Sequence, residues 1–441
     1  MAELSGFPYF EVQLTKDGAV NDPAEAQKVV DFAGGGGVSD LFVISHGWNN
    51  DMDEARSLYA DFFARVREEV DAARVAGVAG RQLAVLGILW PSKKFAEKDL
   101  IPSGAASVGG LVTTGDLQEE IDRFGDDLGP EALARAKVLA AKVEDSPAAQ
   151  DELVTLLRSL LPQSIEGEEA PKELLTLPGR NALAELSKPV FTPPAGGLGG
   201  GVGGAAGLGT GGPKGGPSGG AAGLGLLSGI KGAVYKLLNL TTFYQMKERA
   251  GTVGLNGVST LLRQLRATQP DLKLHLIGHS FGGRLVAAAA LGPDGQSPVR
   301  PDTLTVLQGA FSHYGFAEAY RPGENGFFRR VVSESRVAGP ILISCTHNDL
   351  VNGKAYPIVS QLAHQAGAAL GDKDSLYGGL GANGAQKTPG AQEGTLLPPG
   401  GAYQFAKGGL YNLNADAVIQ GHSDICKNEV AHALLTAVAT T

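Results

Sequence analysis

The segment 272–290 restricts the possible fold more than any other part of the chain. It reads LKLHLIGHSFGGRLVAAAA, an apolar run followed by Gly-His-Ser-Phe-Gly-Gly and then by an alanine-rich run. The first run is typical of a short buried strand, and the second is built of strong helix formers. Because the chain must reverse between them within six residues, the crowded points need residues without a Cβ. The pattern predicts a strand, a tight turn and a helix, with Ser280 in strained geometry at the apex.

Buried strands and helices alternate over most of the remaining chain. Further strands are predicted at 10–14 and 41–44, and in QLAVLGILW, DTLTVLQGAFS and GPILISCTHND; helices are predicted at 51–76, 241–267, 356–369 and 424–438. Most of these strands are continuous Val, Ile and Leu runs, as in strands that are buried on both faces. The sequence therefore predicts an α/β fold with a mostly parallel central sheet flanked by helices.

The interval 93–235 interrupts this alternation. Short helices are predicted at 116–124, 130–144 and 148–161, and a tract in which about half of the residues are glycine follows them. Such a tract buries too little side chain to offset its ordering entropy, so we expect a flexible loop. The chain is thus predicted to have a core in two parts, 1–92 and 236–441, separated by a large helical and Gly-rich insertion over 93–235.

An apolar stretch at the end of the insertion, AGLGLLSGIKGAVYKLLNLTTFY, has two interpretations. In the first it is a helix that packs into the core. In the second it is a lid or interfacial helix that meets a lipid surface. No run of about eighteen apolar residues is uninterrupted, so membrane contact is expected only through this insertion, if anywhere.

Charge and cysteine content exclude several classes of protein. The net charge is −9, and no run rich in Lys or Arg occurs, which argues against a nucleic-acid partner. Only two cysteines occur, too few for a disulfide framework. The first residues lack the basic and apolar regions of a signal peptide, so a cytoplasmic location is expected.

The turn at Ser280 resembles the nucleophile elbow of the α/β-hydrolase family. Gly278-His279-Ser280-Phe281-Gly282 stands between a predicted strand and a predicted helix, which is the context that this motif requires. The resemblance implies a Ser280 nucleophile, an acid after a later strand and a histidine after the last strand. Asp349 follows the strand in GPILISC, and His422 lies in a loop before the final helix. Their chain order is the one that the resemblance implies.

The chemistry requires these residue types. A serine hydroxyl is a weak nucleophile until a neutral imidazole takes its proton, and a carboxylate fixes the imidazole tautomer and stabilises the imidazolium. The family also carries His-Gly plus a following residue at the end of an early strand, which supplies an oxyanion-hole donor. SHGWNND matches this pattern. The resemblance therefore implies backbone donors at Trp48 and Phe281.

Several other residues are weaker candidates for a role in the site. Gly47, Asn49 and His313 are candidates for substrate binding. His46 is interpreted as shaping the end of its strand, and Cys345 as a small buried apolar residue. His432 is a rival to His422, although its apolar helix neighbours favour packing. His347 lies near Asp349, but no second ligand pair at metal spacing accompanies it, so neither a metal nor a cofactor is predicted.

The function predicted from these residues is hydrolysis of a carboxylic ester through an acyl-enzyme. The substrate would be a small-molecule or lipid-like ester. A peptidase, amidase or thioesterase with the same triad, a lyase of the same fold, and a non-catalytic binding or scaffold protein stay open as alternatives. The sequence specifies no acyl chain, alcohol or oligomeric state, because one scaffold can serve many substrates.

Overall fold

The computed structural model of the chain describes residues 2–48, 50–92, 112–161, 176–187, 229–352, 373 and 378–441. The chain divides into two compact units. The sheet unit comprises Met1–Lys94, Leu161–Lys172 and Thr242–Thr441, and the helical unit comprises Phe95–Leu160 and Glu173–Thr241. The predicted division at 92/93 and 235/236 stays a prediction.

The described part of the sheet unit contains a nine-stranded sheet. Its strands are β1 Ala2–Leu4, β2 Phe7–Gln13, β3 Asp40–Ser45, β4 Leu83–Leu89, β5 Lys273–His279, β6 Thr303–Leu307, β7 Ile341–Cys345, β8 Ala391–Thr395 and β9 Leu410–Asn414. Their order across the sheet is β1-β2-β4-β3-β5-β6-β7-β9-β8, and β1 with β2 is the antiparallel pair. The predicted α/β class with a mostly parallel sheet is therefore confirmed.

The register of the central strands brings several strand ends together at one edge of the sheet. Ser45 at the end of β3 pairs with Gly278 of β5, and Leu307 at the end of β6 pairs with His279 on one side and Ser344 on the other. All four strands are parallel, so the loops that follow their carboxyl ends meet at this edge. Open α/β sheets bind their ligands there.

Helices cover both faces of the sheet. The described helices are α1 Pro23–Gly34, α2 Met52–Asp71, α3 Thr114–Asp122, α4 Gly125–Leu128, α5 Pro130–Ala140, α6 Pro147–Arg158, α7 Gly179–Ser187, α8 Gly229–Thr252, α9 Ser259–Thr268, α10 Phe281–Leu291, α11 Arg329–Ser333, α12 Leu380–Asn383 and α13 Asn428–Ala439. On β6, Leu307 belongs to the core formed with α2 and α13, whereas Val306 faces Gly283 of α10. Successive residues of a strand point to opposite faces, so α10 lies on the face opposite α2 and α13.

The helix predicted at 241–267 contains a π-helical segment, Val253–Val258, between α8 and α9. Two glycines explain its position. A Cβ on Gly254 would collide with the Leu285 carbonyl of α10, and a Cβ on Gly257 would lie 2.5 Å from the Gly18 carbonyl. The close approach of two neighbouring backbones therefore coincides with the local widening of the helix.

The helical unit contains the predicted short helices. The helices expected at 116–124, 130–144 and 148–161 correspond to α3, α5 and α6. Leu237 and Leu238 of α8 are buried, and both interpretations of the apolar stretch stay predictions. The Gly-rich tract and the helix predicted at 356–369 lie outside the described residues. Over the described part of the chain, no helix combines the length and apolar character needed to cross a membrane.

Candidate active site

Ser280 forms the whole turn between β5 and α10. Its backbone lies at φ 57° and ψ −123°, a conformation that a non-glycine residue rarely adopts. Neighbouring backbone holds it there, because its N–H donates to the Leu307 carbonyl at 3.1 Å and its own carbonyl accepts from Ala310 N–H at 3.1 Å. The predicted strained serine at the apex is therefore confirmed. Strain of this kind persists only where the surroundings over-determine it, and it clusters at functional sites.

The glycines around Ser280 allow three backbones to approach closely. A Cβ on Gly278 would collide with the Gly282 carbonyl, and a Cβ on Gly282 would collide with the Ser45 carbonyl at the end of β3. A Cβ on Gly47 would lie 2.7 Å from the Cβ of Ser280. The loop after β3 therefore lies directly against the serine.

The structure brings Ser280, His422 and Asp349 into one hydrogen-bonded chain. Ser280 Oγ lies 2.9 Å from His422 Nε2, and His422 Nδ1 lies 2.9 Å from Asp349 Oδ2. Asp349 follows β7, and His422 lies in the loop between β9 and α13. A carboxylate only accepts hydrogen bonds, so it fixes the proton of the neutral imidazole on Nδ1. Nε2 is then free to accept the proton of the serine hydroxyl.

Asp349 is fully buried and surrounded by donors. Its Oδ1 accepts from the Asn352 N–H at 2.9 Å, and its Oδ2 accepts from Asn352 Nδ2 at 2.7 Å and from Gln308 Nε2 at 3.3 Å. Burial alone would raise the pKa of Asp349, but the attraction of His422 and these hydrogen bonds outweigh burial and hold it below its usual value. Asp349 therefore stays charged beside His422 at neutral pH.

Sequence reasoning missed Gln308 and Asn352. Gln308 directly follows β6 with φ 46°, and its carbonyl accepts from Asn352 Nδ2 at 3.0 Å. Its side-chain oxygen also accepts from Ser344 Oγ at 2.7 Å, which orients the amide. Asn352 has a visible signal in the sequence, since it stands three residues after Asp349, but an Asn-Gly pair is also typical of a turn.

The two predicted oxyanion donors, Trp48 and Phe281, lie next to Ser280. Phe281 is the first residue of α10, so its N–H has no preceding helical carbonyl to bond, and it lies at the positive end of the helix dipole. Trp48 follows Gly47, the residue that lies against Ser280, and its ring packs on the Phe281 ring at a centroid distance of 5.7 Å. Both residues therefore flank the serine.

His46 orients the peptide that carries the Trp48 N–H. Its Nδ1 lies 2.9 Å from the Gly47 carbonyl, its Nε2 accepts from Trp90 N–H at 3.2 Å, and its ring stacks on the Trp90 indole. Burial lowers the pKa of His46 to about 4, so it is neutral with its proton on Nδ1. A peptide is planar and trans, so fixing the Gly47 carbonyl fixes the Trp48 N–H in the opposite direction.

The remaining predicted residues lie apart from this chain of hydrogen bonds. His313 is buried after β6, where its Nδ1 lies 3.2 Å from Asn383 Nδ2. His432 is buried on α13 with Nε2 at 2.8 Å from the Gly401 carbonyl, as the packing interpretation requires. His347 is exposed and pairs with Asp416 at 2.9 Å. Asn49 lies outside the described residues.

The described residues hold no cluster of three or more His, Cys, Asp or Glu side chains arranged for a metal ion. Comparison of the chain with protein-family models, with curated proteins and with solved structures gave no match. The chemistry of the site therefore has to follow from its own geometry. A serine hydroxyl on a strained turn, an oriented imidazole and a buried carboxylate are the parts needed for nucleophilic catalysis.

Proposed function

We propose that the protein hydrolyses carboxylic esters through a covalent acyl-enzyme on Ser280. The observation that carries the proposal is the chain Ser280 Oγ, His422 Nε2, His422 Nδ1 and Asp349 Oδ2, with 2.9 Å at each of its two hydrogen bonds. The residues occur in the order Ser, Asp, His, and Ser280 sits on a one-residue turn between a strand and a helix. Both features support an α/β-hydrolase fold for the sheet unit.

In the first half of the proposed reaction, Ser280 Oγ attacks the ester carbonyl carbon while His422 Nε2 takes the hydroxyl proton. The Trp48 and Phe281 N–H groups would hold the oxyanion of the tetrahedral intermediate. Collapse of the intermediate breaks the bond to the alcohol oxygen, and His422 gives that oxygen its proton. An alcohol leaves and the acyl group stays on Ser280.

In the second half, a water molecule replaces the alcohol. His422 Nε2 takes a proton from the water as it attacks the acyl carbon, and returns that proton to Ser280 Oγ when the second intermediate collapses. Asp349 keeps its charge throughout and stabilises the imidazolium each time that it forms. The cycle needs no cofactor and leaves the enzyme unchanged.

Amide and thioester substrates would use the same cycle with a different leaving group. Substrates that share one acyl chain but differ in the leaving group therefore distinguish an esterase from an amidase or a thioesterase. Hydrolysis of 4-nitrophenyl esters from acetyl to palmitoyl would be measured beside a 4-nitroanilide and a thioester. We expect turnover of the esters, and a maximum at long chains would identify a lipid-like substrate. Cleavage of the anilide alone would move the protein to the amidases and peptidases.

Two matched serine variants test the assignment of the nucleophile. Ser280→Ala should abolish turnover, because the residual rate without the nucleophile is expected to be lower by about six orders of magnitude. Ser259→Ala removes another buried hydroxyl, which stands at the start of α9, and should leave turnover unchanged. Equal loss in both variants, or substantial turnover by Ser280→Ala, would refute the proposal. A folded wild-type protein inactive on every substrate would favour the non-catalytic alternative.

A further inference from the structure

His279 stands next to Ser280 in the chain and contacts His422 directly. Its Nε2 lies 2.9 Å from the backbone carbonyl oxygen of His422, and the two imidazole rings are 4.9 Å apart between centroids. In the motif Gly-x-Ser-x-Gly, His279 occupies the first variable position, so the motif itself implies no role for it. His279 at the end of β5 and Ser280 in the turn that follows therefore both reach His422.

The hydrogen bond fixes the tautomer of His279. A carbonyl oxygen only accepts, so Nε2 must carry the proton and Nδ1 carries a lone pair. Nδ1 is buried, and it has no hydrogen-bond partner in the described part of the chain. Burial, and then the positive charge of a protonated His422, lower the pKa of His279 to about 3. His279 is thus a neutral donor at neutral pH.

Adjacent residues at the end of β5 therefore contact His422 at two different points. Ser280 Oγ bonds the ring at Nε2, and His279 bonds the main chain at the carbonyl oxygen. His422 lies in a loop outside any helix or strand, so its position depends on such side-chain contacts. Since β5 is the middle strand of the sheet, the contacts of His279 and Ser280 attach the loop to the centre of the sheet.

We propose that His279 is a positioning residue, whose Nε2–H holds the main chain of His422 so that the imidazole stays aligned with Ser280 Oγ. This inference rests on the proposed hydrolase function for its catalytic consequence. Its structural consequence is separate: loss of the donor should loosen the loop around His422 whether or not the protein is an enzyme. A displacement of about 1 Å in a catalytic group lowers a rate by about 100-fold.

Three variants separate the donor from the bulk of the ring. In Gln the side-chain nitrogen is as many bonds from Cβ as Nε2 is in His, so His279→Gln keeps the donor in reach of the His422 carbonyl. His279→Asn places its nitrogen one bond short, and His279→Phe keeps a ring without any donor. We expect His279→Gln to retain kcat within about threefold, and the other two to lose about 10- to 100-fold in kcat with KM nearly unchanged.

Hydrogen–deuterium exchange of the peptide that contains His422 gives a readout independent of turnover. His279→Asn and His279→Phe should exchange faster there than the wild type, and His279→Gln should match it. Unchanged exchange in Asn and Phe variants that are shown to be folded would overturn the inference, as would equal loss of kcat in all three. If the wild type shows no Ser280-dependent turnover, the proposed function fails, and the exchange data still decide whether His279 holds the loop.

Discussion

Two histidines buried in neutral form should make the sheet unit sensitive to mild acid. His46 is fully buried and His279 is 6% exposed, and burial lowers their pKa values to about 4 and about 3. Because both values lie below the ordinary value of about 6.5, the unfolded chain binds these protons first. Stability is therefore fully present above about pH 6.5 and is lost as the pH falls toward the folded-state values.

The magnitude follows from the linkage relation. At pH 5 an unfolded histidine with a pKa of about 6.5 is almost wholly protonated, whereas both buried histidines are still largely neutral in the fold. Between pH 7 and pH 5 each should lower the free energy of unfolding by about 2 kcal/mol, and the pair by about 4 kcal/mol. Such a loss is a large share of the stability of an ordinary domain, which is about 5–15 kcal/mol.

Tryptophan fluorescence during denaturant unfolding measures this effect in the sheet unit alone. Both tryptophans of the chain, Trp48 and Trp90, belong to that unit, and the indole of Trp90 stacks on His46. Between pH 7 and pH 5, the free energy of unfolding of His279→Gln should fall by about 2 kcal/mol less than that of the wild type. Ser259→Ala, which removes no titrating group, should lose as much as the wild type. An equal loss in His279→Gln and the wild type would show that His279 does not contribute to the acid sensitivity.

Three further predictions concern turnover. Gly47→Ala should lower kcat/KM by about 100-fold with the fold retained, because the methyl would push the loop after β3, and with it the proposed Trp48 donor, away from Ser280; unchanged kinetics would refute the close approach. Asn352→Ala removes one donor from the Asp349 carboxylate and should lower kcat by about tenfold with little change in KM. A change in KM alone would contradict a role of Asn352 in holding the carboxylate that orients His422. His422→Ala should abolish turnover, because no base then accepts the Ser280 proton, and substantial turnover by this variant would exclude a histidine base.

The parts of the fold that were predictable from the sequence have local causes. The elbow at Ser280 followed from an apolar run, closely spaced glycines and helix formers within 272–290. Asp349 and His422 followed from the resemblance to the α/β-hydrolase family, which implies an acid after a later strand and a histidine after the last strand. The pattern of the elbow reflects short-range rules of strands, turns and helices, which depend only on residues that are near one another in the sequence.

What escaped prediction depends on contacts between distant parts of the chain. Gln308 acts on Asp349 across 41 residues, and nothing in its own neighbourhood marks it as a donor to a carboxylate. The π-helical segment depends on the approach of Gly18 and α10 to Gly254 and Gly257. The strands β1 and β8 are short edge strands, mostly exposed, and they lack the apolar pattern by which strands are recognised.

The most direct test of Ser280 as the nucleophile is covalent labelling by a fluorophosphonate, which reacts with a serine only when a base activates it. We expect one adduct per chain, mapped by peptide mass spectrometry to Ser280 and absent from Ser280→Ala. Labelling of His422→Ala should be slower by at least about 100-fold, because the base is gone. An adduct on another serine, or no adduct on a folded wild-type protein, would contradict the assignment of Ser280 as an activated nucleophile.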